Sequence, residues 1–77
     1  MTPQTILLTA FQNVAGHISN LETVHTWINE IVAEGISIEE GIVELKSRAE
    51  NEDVTFLTDI RILINEIEHL SREKTPV

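Results

Sequence analysis

Residues 15–24 read AGHISNLETV, and the architecture of the chain turns on whether a helix runs through them. Two readings compete. Leu7, Phe11, Val14, Ile18, Leu21, His25, Ile28 and Val32 keep a heptad-like spacing straight across the stretch, which describes one long helix that reverses only at Gly35. Two such hairpins would pair into a dimeric four-helix bundle. Against this, Gly16 suits a helix C-terminus that needs positive φ. Ser19 and Glu22 have the spacing of a capping box, in which the hydroxyl and the returning carboxylate each satisfy a free backbone N–H at a helix start. The capping chemistry favours a break here.

The same pattern recurs downstream. Gly35 precedes Ser37 and Glu40, a second capping-box pair, whereas Asn51, Glu52 and Asp53 offer cap candidates with no glycine or proline beside them. The third break is therefore the weakest, and residues 38–73 could form a single helix. The two prolines sit at the ends: Pro3 behind Thr2, where an N1 proline belongs, and Pro76 in a short polar tail. Phe56, Ile60, Leu63, Ile67 and Leu70 form one buried stripe at helical steps. These features predict an all-α chain, a small four-helix bundle-like domain with helices at 3–15, 20–34, 38–50 and 54–72. It is read as one acidic helical domain over residues 1–77 with a short frayed tail at 73–77. The alternative is the long hairpin that dimerises.

A chain of 77 residues hides only about 60% of the surface that its unfolded form exposes, so its core is marginal. The absence of cysteine removes disulfides, thiolate metal sites and thiol chemistry. A partner chain is then the expected source of added stability. No apolar run approaches the length needed to span a bilayer. The first basic residue is Lys46, so the start has none of the basic character of a secretory signal. The expected location is cytoplasmic, without membrane association.

Thirteen acidic residues against five basic ones give a net charge of -8. Glu22, Glu30, Glu34, Glu39, Glu40 and Glu44 all precede the first basic residue, with nothing before it to balance them. Such a face repels phosphate, which argues against direct nucleic-acid binding and for a basic protein partner.

The charge is also unevenly placed, because residues 2–21 contain no Asp, Glu, Lys or Arg. Projected at about 100° per residue, the first helix is apolar over more than half its circumference, from Ile6 through Ala10, Val14, Leu7, Ile18, Phe11 and Ala15 to Leu8. Its remaining face carries neutral groups that are cheaper to dehydrate than charges. Burial on two sides would explain both features, one side against the core and the other against a second subunit or partner. The competing reading places this helix at the centre of a compact monomer. Thr5, Leu8, Thr9 and Gln12 are the candidate interface residues, joined by Ile62, an apolar residue between Glu66, His69 and Glu73. Val43 is similarly isolated near Glu39 and Glu50. Trp27, the only tryptophan, lies at the edge of an apolar arc and is either an interface anchor or a core-edge ring.

Motifs for chemistry are sparse. Glu-x-x-His occurs twice, at Glu22 with His25 and Glu66 with His69, a pattern that resembles the ligand pairs of ferritin-like di-iron bundles. The first helix lacks the carboxylate such a centre needs, and Glu66 and His69 project away from the apolar stripe; no metal or other cofactor is expected. In GISIEEGIVEL, residues 35–45, Ser37 followed by Ile38, Glu39 and Glu40 resembles the phosphopantetheine serine of acyl carrier domains. Ile36 stands where those domains have aspartate, and the helix periodicity before it departs from their long loop. An N-cap role also accounts for Ser37. No nucleophile, base and orienting group fall into an evident set, and His17 and His25 lie near apolar faces as structural histidines do. Thr75, Pro76 and Val77 fit the loose C-terminal pattern of PDZ ligands and read as a tail.

The expected function is therefore non-enzymatic: a protein-protein interaction module of adaptor, small chaperone, immunity or inhibitor type. It would self-associate as a homodimer or higher homo-oligomer, or dock, through the uncharged first helix. The alternatives are an acidic phosphate mimic that inhibits a nucleic-acid-binding enzyme, and an acyl-carrier-like domain modified on Ser37.

Overall fold

The computed structural model describes residues 2–73, with the side chain of Glu73 excepted. Four helices are present and no strand among these residues: α1 Pro3–Val14, α2 Leu21–Glu34, α3 Ile38–Glu50 and α4 Val54–Glu73. The tail from residue 74, including Thr75, Pro76 and Val77, lies outside the described residues. The long-hairpin alternative is overturned at two places. Ala15–His17 forms a 3-10 turn between α1 and α2, and residues 51–53 separate α3 from α4.

Two of the helix starts follow their sequence grammar. Thr2 caps α1 by accepting the Thr5 N–H at 3.1 Å, with Pro3 next in line. Ser37 caps α3, its hydroxyl accepting the Glu40 N–H at 3.2 Å while the Glu40 carboxylate accepts the Ser37 N–H at 3.4 Å. Before α4, the Asp53 carboxylate accepts the Thr55 N–H at 3.0 Å and also the Thr55 hydroxyl. These bonds, the hydroxyl's first, hold the Asp53 carboxyl below its usual range.

The break after α1 is built differently from expectation. Gly16 does not adopt positive φ; it belongs to the 3-10 turn, and Gly35 at φ 68° is the one left-handed glycine among the described residues. The Ser19–Glu22 capping box is also absent. Asn20 is the residue before α2 and makes no side-chain cap to its own helix. The acceptor comes instead from α4, as Asp59 reaches across and takes hydrogen bonds from the N–H groups of Ser19 at 2.9 Å and Asn20 at 2.8 Å. A distant carboxylate here takes the Ser19 N–H that the returning carboxylate of Glu22 was expected to accept.

Ile6, Leu7, Ala10, Phe11 and Val14 of α1 are buried with Val24, Ile28 and Ile31 of α2, Leu45 and Ala49 of α3, and Ile60, Leu63, Ile64 and Ile67 of α4. α1 packs on both α4 and α2, and a Cβ placed on Gly41 of α3 would touch Leu7 at 3.6 Å. All three other helices thus reach α1. Ile6, Leu7, Ala10, Phe11 and Val14 of its apolar arc are buried inside the chain, while Leu8 and Ala15 at the edge of the arc are half-buried. Among the described residues fifteen apolar side chains are buried, five of them on α1, and at about 25 cal/mol per Å² of apolar surface their burial is the main favourable term in folding.

Candidate functional site

With its inner arc buried, α1 presents Thr5, Leu8, Thr9 and Gln12 outward, and no charge lies among them. Thr5 and Gln12 are exposed, while Leu8 and Thr9 are half-buried, Leu8 packing against the core. Trp27 and Ile62, expected to extend this surface, are also half-buried. Trp27 tilts against Phe56 with ring centroids 5.3 Å apart, and both rings pack on the core. Ile62 lies on α4 between two ties to the α1 end of the molecule, Asp59 with Asn20 and Glu66 with Asn13, whose amide donates at 2.9 Å. The six residues are spread over three helices.

The acidic residues are brought together more closely. Glu34 at the end of α2 and Glu39, Glu40 and Glu44 on α3 line a shallow depression of about 400 Å³ whose apolar members are Ile36 and Val43. Val43 is 66% exposed. The geometry follows from Gly35, whose left-handed φ turns the chain sharply from α2 into α3 and folds the two acidic termini onto one corner. Glu22, by contrast, stands exposed in the first turn of α2.

This face is not wholly uncompensated, as the order of charges along the chain had suggested. Arg48 reaches back from α3 to Glu30 on α2 and bonds Glu44 on its own helix at 3.3 Å. The hydrogen bond to Glu30 dominates, opposed by partial burial and reinforced by Glu44, and the guanidinium is held even more firmly charged than usual. Glu44 therefore serves both the Arg48 pair and the depression. Glu34, Glu39 and Glu40 have no basic neighbour among the described ion pairs. No protein-family model, curated protein or solved structure matches the chain.

The motifs considered for chemistry fall apart in space. No three His, Asp or Glu side chains gather as a metal site among the described residues. His25 is exposed and stacks on Phe11 with centroids 4.9 Å apart, and His17 is exposed in the 3-10 turn. Glu66 is engaged with Asn13 on α1. The Ser37 hydroxyl is held in its capping box and lies 3.1 Å from the Glu40 carboxylate. Among the described residues, no helix is long and apolar enough to cross a membrane.

Asp59 is the residue that sequence reasoning missed. It is 1% exposed in a stripe of isoleucines and leucines, and it also accepts the Asn20 side-chain amide at 2.9 Å. That amide in turn donates to Thr55 at 3.0 Å. A lone acid at a core position of the Phe56, Ile60, Leu63 stripe was the available signal, since a buried carboxylate must find donors.

Proposed function

We propose that the protein is a non-catalytic interaction module whose acidic depression at the α2–α3 corner receives a basic, amphipathic segment of a protein partner. The observation that supports this reading is the exposed Val43 beside Ile36, ringed by Glu34, Glu39, Glu40 and Glu44. Carboxylates alone attract any cation and discriminate poorly. An apolar floor adds a contact that a segment with alternating lysines and leucines can satisfy and a simple ion cannot.

The test uses a synthetic helical peptide with lysines on one face and leucines on the other, titrated calorimetrically into the full chain at low and high salt. Glu34→Lys and Glu39→Lys should each weaken binding by about tenfold, and so should Val43→Thr, which removes apolar contact without changing charge. Glu40 is avoided because it holds the α3 cap. Binding that ignores all three substitutions would overturn the proposal. Loss with the glutamate variants but none with Val43→Thr would favour the phosphate-mimic alternative, in which charge alone recognises a basic groove.

A further inference from the structure

Self-association requires a face on which a second chain of net charge -8 is not repelled. The outer arc of α1 is uncharged, but it offers no exposed large apolar side chain, Leu8 being half-buried. A second surface meets both needs. Between α3 and α4 runs a groove of about 470 Å³ with Ile60 and Ile64 beneath it and Leu57, 44% exposed, at its edge. Val54, 71% exposed, lies one turn before Leu57 on α4.

The charges around this groove are balanced, two against two: Lys46 and Arg61 with Glu50 and Glu68. Among the described residues neither Lys46 nor Arg61 makes an ion pair, whereas Arg48 is engaged by Glu30 and Glu44. Their order along α4 matters more than their number. Arg61 and Glu68 are seven residues apart, two turns and about 10 Å along one helix face, with Ile64 and Asn65 midway. Reversing the helix about that midpoint exchanges the cation for the anion. A purely acidic foreign helix would satisfy Lys46 and Arg61 but oppose Glu50 and Glu68, and a basic one would do the reverse. A reversed copy of α4 satisfies both.

We propose that a second copy of the chain docks on the α3–α4 groove about a two-fold axis near Ile64 and Asn65, the two α4 helices running antiparallel. Arg61 then meets Glu68 of the second copy, symmetry makes the same pair again, and Leu57 becomes covered. The residues are distinct from those of the acidic depression, so either proposal can fail alone.

The experiment is analytical ultracentrifugation of the full chain over a wide concentration range, with circular dichroism of each variant to confirm its helicity. The wild type should be a reversible dimer. Arg61→Glu and Glu68→Arg lie at exposed positions and should each weaken self-association by about a hundredfold, because each places like charges together twice across the axis. Combining the two substitutions restores opposite signs and should restore the dimer. Thr9→Arg, on the outer arc of α1, should leave it unchanged. A wild type that stays monomeric throughout, a combined variant no better than the single ones, or a dimer broken by Thr9→Arg and not by Arg61→Glu would each overturn the proposal.

Discussion

Asp59 of α4 and Asn20 at the start of α2 are joined twice, through the Asn20 backbone N–H at 2.8 Å and its side-chain amide at 2.9 Å. With the Ser19 N–H at 2.9 Å, a single buried carboxylate holds the whole turn between α1 and α2 onto α4. Hydrogen bonds to a charged group contribute about 1.5–3 kcal/mol, and donors left without an acceptor add their own penalty where water cannot reach them.

Asp59→Ala should therefore cost about 2–4 kcal/mol in urea unfolding, a large share of the stability of a chain this short. Asp59→Asn keeps the shape but turns an NH2 group toward donors, so it should cost roughly half as much. Hydrogen exchange at the Ser19 and Asn20 amides gives an independent reading, since both should lose protection before the centre of α4 does. An Asn variant as stable as the wild type would mean that the turn is held by packing of Ile18, which is itself buried.

This tie also shows where the sequence was legible. Thr2, Pro3, Ser37, Glu40 and Gly35 act within their own turns, so spacing alone reveals them, and the four helices follow. Asp59 acts across forty residues of chain, and nothing local marks its partners. Arg48 is similar, since its pairing with Glu30 depends on how α2 and α3 lie together. The width of the apolar arc on α1 was readable, but not whether other helices or another molecule would cover it. For the candidate site, the acidic residues were legible as a group. Their assembly around Val43 was not, because it depends on the turn at Gly35.

The glycines should respond in opposite directions. Gly41 lies inside α3, where a Cβ would meet Ile31 and Leu7 at 3.6 Å, ordinary contact distance. Gly41→Ala should then stabilise by about 1 kcal/mol, the helix-propensity difference, with the added methyl filling space beside the core. Gly35 sits at φ 68°, which side chains adopt only with strain, so Gly35→Ala should destabilise by about 1 kcal/mol. Thermal midpoints of the two variants check the pair. A fall for Gly41→Ala would show that α3 and α1 are packed too closely there to admit a methyl.

Arg48 should separate stability from binding. Its guanidinium ties α2 to α3 through Glu30, and Glu44 belongs at once to that pair and to the rim of the acidic depression. The side chain is partly exposed and Glu30 is more so, which limits the pair to about 1 kcal/mol or less. Arg48→Gln should therefore lower the urea midpoint only slightly. The same change removes the one positive charge that offsets Glu44, deepening the negative potential of the depression. A basic amphipathic peptide should then bind Arg48→Gln several-fold more tightly than the wild type at low salt, with the gain fading as salt is added. Weaker binding by Arg48→Gln would mean that Arg48 positions Glu44 for the partner instead of competing with it, and Glu44→Gln would then reproduce that loss.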